Sequence, residues 1–76
     1  MKLYLGGHLA HYAPEKQTRL EIDLRGTVPL TAVLAQLNVP AGEVALTVVN
    51  GKLVELADLF VANHDQVKLY PPLGGG

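Results

Sequence analysis

Only one segment of this chain has the apolar spacing of a helix, and segments with the two-residue alternation of strands lie on both sides of it. Four apolar side chains recur at helical intervals, at Leu30, Val33, Leu34 and Leu37. Thr27 or Pro29 marks the start of this helix, since proline is tolerated in the first turn. Asn38 can close it in a left-handed cap, and Pro40 prevents its continuation. One helix with one apolar side must therefore cover one face of a sheet.

Five segments have strand character. They are residues 1–5, residues 19–25, residues 44–49, Lys52–Val54 and Gln66–Tyr70. The first two are expected to pair as an antiparallel hairpin, and Asn50-Gly51 is a strong signal for a second hairpin. The first and last strands are expected to lie side by side in the centre of the sheet.

This order of elements predicts an α+β protein with a β-grasp fold. We expect a mixed sheet of four to five strands and one main helix in residues 1–72, followed by a flexible tail at residues 73–76. A chain of 76 residues suits one domain. The predicted core consists of Leu3, Leu5, Leu20, Ile22, Leu24, Val33, Leu34, Leu37, Leu46, Val48, Val67 and Leu69.

Composition excludes several classes of function. The chain has no cysteine, which excludes a disulfide framework, a thiolate zinc site and a thiol nucleophile. The net charge of −1 without a basic stripe argues against nucleic acid as a partner. No apolar run is long enough for a signal peptide or a membrane span, so we expect a cytoplasmic protein that does not bind a membrane.

The polar residues give little sign of catalysis. His8 and His11 are three residues apart, but no third ligand is obvious nearby, so we expect no metal site. Glu21 and Asp23 share the polar face of a strand, but an acid/base pair requires burial and this face is expected to be solvated. Asn63 or His64 is expected to occupy a turn with positive φ before the last strand. Nothing here indicates an enzyme that acts alone.

The chain ends in Leu73-Gly74-Gly75-Gly76, directly after Pro71-Pro72. One interpretation is a frayed terminus or a cloning remnant. The other is functional, because glycine has no Cβ and a glycine tail can thread a narrow channel. An unhindered terminal carboxylate could then attack the α-phosphate of ATP in a partner's site and form an acyl-adenylate.

These features together resemble the MoaD/ThiS family of sulfur carriers, which are relatives of ubiquitin. Residues 34–40 are similar to the end of the family's helix, and residues 48–52 to its Asn-Gly hairpin. The strongest likeness is in residues 65–76, where a strand is followed by Tyr70-Pro71-Pro72 and a terminal Gly-Gly. The family usually has glycine where this chain has His64.

The resemblance implies a function for the tail. Gly76 would be adenylated and converted to a thiocarboxylate, and Gly75 would let the tail enter the active site of the activating enzyme. The implied partners are a ubiquitin-activating-type adenylating enzyme, a sulfur donor and an acceptor synthase subunit. The chain itself would bind no cofactor, and the partner would consume the ATP. Gly74 is more typical of the thiamine type and Tyr70-Pro71-Pro72 of the molybdopterin type, so the pathway stays open.

Two other functions fit the same pattern. The chain could be a ubiquitin-like modifier that forms isopeptide bonds through Gly76, or a β-grasp interaction module with an inert tail. A sulfur carrier must dock on an activating enzyme and then on an acceptor enzyme, so a docking surface is expected beside the last strand. Its predicted residues are Tyr70, Pro71, Pro72, Leu73 and Gly74, continued by Ala45, Thr47 and Val49 on the outer face of the sheet, with Leu59 and Phe60 as a possible extension.

Overall fold

The computed structural model describes residues 1–72. The predicted tail, residues 73–76, lies outside the described residues. The strands are β1 (Lys2–Leu5), β2 (Arg19–Glu21), β3 (Val28–Pro29), β4 (Leu46–Val49), β5 (Lys52–Val54), β6 (Phe60–Val61) and β7 (Gln66–Tyr70). The α-helix α1 spans Leu30–Gln36, and shorter 3-10 helices span Gly7–Tyr12, Pro14–Lys16 and Ala41–Glu43.

Five of the strands form one mixed sheet in the order β2-β1-β7-β4-β5. Strands β1 and β7, the first and last along the chain, lie side by side and run parallel, with Leu3 opposite Val67 and Leu5 opposite Leu69. The flanking pairs, β1 with β2 and β4 with β7, are antiparallel. The predicted α+β class, the mixed sheet and the central position of the last strand are therefore confirmed.

Helix α1 begins and ends where its sequence predicts. Pro29 occupies the N-cap position with extended backbone, and Asn38 follows the helix with a φ of 60°. The helix buries Leu30, Val33 and Leu34 against the sheet. The periodicity is reliable here because the large aliphatic side chains fall on one face, and only Thr, Ala and Gln occupy the exposed positions of the helix.

The hairpin between β4 and β5 turns at Asn50 and Gly51, which both have positive φ, 51° and 83°. This agrees with the mirror-image turn that an Asn-Gly pair favours. The Asn50 side chain also binds the start of β7. Its Oδ1 accepts from the backbone N–H of Gln66 at 2.9 Å, and its Nδ2 donates to Asp65 Oδ1 at 2.9 Å.

Most of the predicted core is found where it was expected. Six of its members are buried: Leu3, Leu5, Val33, Leu34, Val67 and Leu69. Four more are half-buried against them: Leu20, Ile22, Leu24 and Leu37. The predicted core lacks seven buried apolar side chains: Met1, Leu9, Ala10, Ala13, Leu30, Val39 and Val61. Leu9 and Val61 lie between the predicted strands, in segments for which no helix or strand is predicted.

Strand β4 presents the opposite face from the one predicted. Thr47 is only 3% exposed and lies opposite Leu69, whereas Leu46 is 46% exposed and lies opposite Tyr70. Val48 also faces outward, because it lies opposite Lys68. Residues 44–49 contain no charged side chain, and their single polar residue, Thr47, is on the buried face, so polarity does not predict which face is buried. The pairing of β4 with β7 determines which face of β4 is buried.

Three further expectations are corrected. The strand predicted at residues 19–25 spans only Arg19–Glu21. Beyond it, the backbone N–H of Leu24 donates to Asn63 Oδ1 at 2.6 Å rather than to a neighbouring strand. The segment between the predicted strands Lys52–Val54 and Gln66–Tyr70, for which no element is predicted, contains β6, which pairs with β3 in a two-stranded sheet. His64 does not have a positive φ, so the turn before β7 is not strained there.

Candidate functional site

The end of β7 is fixed from both sides by backbone hydrogen bonds. The N–H of Gly6 donates to the carbonyl of Leu69 at 2.8 Å, and the N–H of Ala45 donates to the carbonyl of Tyr70 at 2.8 Å. Pro71 and Pro72 follow and have no N–H to continue the ladder. The sheet therefore ends at Tyr70, and the chain leaves it from the central strand.

Two glycines after β1 make room for this end of β7. A Cβ added to Gly6 would lie 2.9 Å from Cδ1 of Tyr70 and 3.2 Å from the carbonyl oxygen of Leu69. A Cβ added to Gly7, which has a φ of 51°, would lie 2.8 Å from Cγ of Pro71. This contact is not among the sequence predictions. The feature of the sequence that could have indicated it is the glycine pair directly after β1, the strand that runs parallel to β7.

A small polar cluster beside this end of the sheet joins the 3-10 helix Gly7–Tyr12 to the 3-10 helix Ala41–Glu43. Glu43 accepts from the hydroxyl of Tyr12 through one carboxylate oxygen and lies 3.0 Å from Nε2 of His8 through the other. The hydrogen bond from Tyr12, and secondly that from His8, holds the pKa of Glu43 below its ordinary value. The same bond to Glu43 raises the pKa of Tyr12. The cluster connects the loop that contains Gly7 to the segment that precedes Ala45.

The outer face is the side of the five-stranded sheet turned away from α1, and one part of it is apolar. Leu46 lies opposite Tyr70, and Val48 lies opposite both Lys68 and Leu53. Leu46 is 46% exposed and Leu53 is 66% exposed. This corrects the predicted docking surface, because Thr47 and Val49 face the core and Ala45 precedes the strand.

The other part of the outer face carries charge. It forms an open groove of about 560 Å³ across β2, β1 and β7, lined by Lys2, Tyr4, Arg19, Glu21, Gln66, Lys68 and Tyr70 among others. The guanidinium of Arg19 lies 6.0 Å from the ring centre of Tyr4, which is at the outer limit for a cation–π contact. The rings of Tyr4 and Tyr70 pack at 5.8 Å with a tilt of 54°.

The structure places only part of the predicted site. Tyr70 and Pro71 are half-buried, and Pro72 is exposed. Leu73, Gly74, Gly75 and Gly76 lie outside the described residues. Leu59 is half-buried against the core, whereas Phe60 is 56% exposed on the two-stranded sheet and does not extend the outer face.

The remaining polar candidates are not brought together. Within residues 1–72, no group of three or more His, Asp or Glu side chains could hold a metal ion. His8 engages Glu43, and His64 lies 3.4 Å from Asp65. None of the helices described in residues 1–72 is long and apolar enough to cross a membrane.

The chain matches no protein-family model, and no curated protein matches it.

Proposed function

We propose that this protein is a sulfur carrier with a β-grasp fold, of the MoaD/ThiS type, whose C-terminal Gly76 is activated by a partner enzyme. The observation that carries the proposal is the position of β7. This strand lies in the centre of the sheet, and Tyr70-Pro71-Pro72 directs the chain out of it toward the glycines. A carrier needs this arrangement, because a rigid domain has to present a slender tail to another protein's active site.

The described contacts support a fixed point of departure for the tail. Gly6 and Gly7 lie so close to Tyr70 and Pro71 that no side chain fits between them. Backbone hydrogen bonds from Gly6 and Ala45 hold the last strand on both sides. A tail that starts from a fixed point keeps its last carboxylate within a limited volume, and this favours alignment with ATP in a partner's site.

The proposed chemistry takes place at the carboxylate of Gly76. One carboxylate oxygen attacks the α-phosphorus of ATP, pyrophosphate leaves, and an acyl-adenylate forms. Hydrosulfide, already released by the donor, attacks the carbonyl carbon, and AMP leaves with the acyl C–O bond broken and a proton given to solvent. The product is a thiocarboxylate, and no electrons are exchanged at Gly76. The acceptor synthase subunit then takes the sulfur for a cofactor of the molybdopterin or thiamine type.

Adenylation tests this proposal. The purified chain is mixed with the ubiquitin-activating-type adenylating enzyme of the same organism, ATP and labelled pyrophosphate. We expect exchange of label into ATP that depends on the chain. A variant with one alanine appended after Gly76 is the matched control, and it should fold normally but support no exchange. Exchange at the normal rate with the extended chain, or none with the original chain, would overturn the proposal.

A further inference from the structure

The apolar part of the outer face is a continuous strip next to the end of β7. Leu53, Val48, Leu46 and Tyr70 are linked by direct cross-strand pairing and by neighbouring positions on β4. The high exposure of Leu46 and Leu53 is costly in water unless another surface covers them. The strip therefore has the character of a docking site.

One cation, Lys68, borders this strip, and two more lie further across the outer face on β1 and β2. Lys2, Arg19 and Lys68 lie on the outer face, and within residues 1–72 none of them forms an ion pair. Lys68 lies opposite Tyr4 on one side and Val48 on the other, so it stands at the boundary between the two parts. Strands β1, β2 and β7 carry three of the chain's six Lys and Arg side chains but only one of its seven Asp and Glu side chains, Glu21.

The charge of this face selects among possible occupants. A second copy of the chain in a face-to-face dimer would bring cations toward cations, which is unfavourable. Nucleic acid would satisfy the cations but would leave the aliphatic strip without a matching surface, since bases stack on free aromatic faces. Tyr4 and Tyr70 instead pack against each other. A protein with both apolar and acidic groups matches both parts.

We propose that the outer face docks a partner protein whose contact surface has an apolar ridge flanked by carboxylates. Leu46, Val48 and Leu53 receive the ridge, and Lys2, Arg19 and Lys68 receive the carboxylates. Naming that partner as the adenylating enzyme rests on the proposed function, because Tyr70 belongs to the strip and leads directly into the tail. The chemistry of the surface itself does not depend on that assignment.

The first experiment is titration calorimetry of the chain against the adenylating enzyme at low and high salt. Lys68→Glu should weaken binding at least about tenfold at low salt, with a smaller effect at high salt. Lys16→Glu is the matched control, because it makes the same charge change outside the five-stranded sheet, and it should leave affinity unchanged. Leu53→Ser should weaken binding to a similar degree at both salt concentrations. If the enzyme is active and Lys68→Glu binds it as tightly as Lys16→Glu does, the docking proposal is wrong while the carrier function stands.

The second experiment needs no natural partner. Amide chemical shifts are followed by NMR while a synthetic helical peptide is added that has leucines on one face and glutamates beside them. Shifts on β4, β5 and β7 that weaken with Lys68→Glu support the proposal, even if the adenylating enzyme does not bind. The proposal is wrong if neither peptide binds, or if a peptide with lysines in place of the glutamates binds equally well. It is also wrong if a short single-stranded RNA binds in preference to the peptide, or if the chain dimerises through this face as its concentration rises.

Discussion

Gly6 and Tyr70 are in such close contact that a single added carbon would not fit between them. The Cβ of any other residue at position 6 would lie 2.9 Å from Cδ1 of Tyr70, well inside van der Waals contact. Gly6 also donates its N–H to the carbonyl of Leu69. The loop after β1 and the end of β7 therefore form one packed unit, and the direction of the chain beyond Tyr70 depends on it.

Replacing this glycine should loosen the end of β7. We expect Gly6→Ala to lower the free energy of unfolding by about 1–3 kcal/mol, the usual cost of forcing extra volume into a packed site. Urea denaturation followed by circular dichroism measures it. Gly42→Ala is the control, because its Cβ would meet nothing within 4 Å and its φ is not positive, and it should change stability by less than about 0.5 kcal/mol. Equal effects of the two substitutions would show that Gly6 does not hold Tyr70 in place.

A second prediction concerns the buried side of α1. Leu34 is 1% exposed within the core, and Leu34→Ala should cost about 2–5 kcal/mol. Leu53→Ala makes the same chemical change at a side chain that is 66% exposed, and it should cost less than about 0.5 kcal/mol. The measurement is chemical denaturation of both variants. A loss below about 1 kcal/mol for Leu34→Ala would contradict the helix packing described.

A third prediction concerns acid stability and Asp65. Its carboxylate accepts from Nδ2 of Asn50 at 2.9 Å and from the N–H of Ala62 at 2.8 Å. The Asn50 side chain, then the Ala62 amide, hold the pKa of Asp65 below its ordinary value of 3.8. Because the unfolded chain binds this proton more readily, the stabilisation is complete above pH 3.8 and is lost as pH falls through the lower folded pKa.

Unfolding measured from neutral pH to below this range tests the role of Asp65. Asp65→Asn should be less stable than the original chain at neutral pH, and the gap should narrow in acid. Asp58→Asn is the control, since Asp58 is exposed and accepts no side-chain hydrogen bond among the interactions described for residues 1–72. Parallel pH profiles for the original chain and Asp65→Asn would contradict the prediction.

The sequence predicts the fold best where turn residues delimit a segment. Asn38 and Asn50 have the positive φ expected of them, and Lys52–Val54 and Gln66–Tyr70, which are bounded by Asn50-Gly51 and Pro71, are found with their predicted bounds. The strict alternation of residues 19–25 predicts the buried face but not the end of the strand, which is Arg19–Glu21. In residues 44–49 polarity does not predict the buried face, so the choice of Thr47 over Leu46 as the buried side chain depends on pairing with β7.

The site is less accessible to sequence reasoning than the fold. Tyr70, Pro71 and Pro72 can be singled out from their position before the glycines. The contacts that fix them are long-range, since Gly6 and Gly7 are far from Tyr70 and Pro71 in the chain. His8 and Glu43 are separated by 35 positions. No local pattern predicts such a pairing.

A fourth prediction addresses the tail. Gly75→Val should abolish adenylation, because a β-branched side chain would not pass through a narrow channel and would restrict the backbone beside the reacting carboxylate. The thermal midpoint should stay unchanged. Gly74→Ala is a milder matched change, and it should retain more activity than Gly75→Val. Normal pyrophosphate exchange with Gly75→Val would show that the tail is not held in a narrow site.

The most direct test is the intact mass of the chain after incubation with the adenylating enzyme, ATP and a sulfide source. We expect a mass increase equal to the exchange of one oxygen for sulfur, located at Gly76 by fragmentation and absent when an alanine follows Gly76. An unchanged mass under conditions that support adenylation would contradict the sulfur-carrier function. High-mass conjugates to lysine that require Gly76, without any thiocarboxylate, would identify a protein modifier instead.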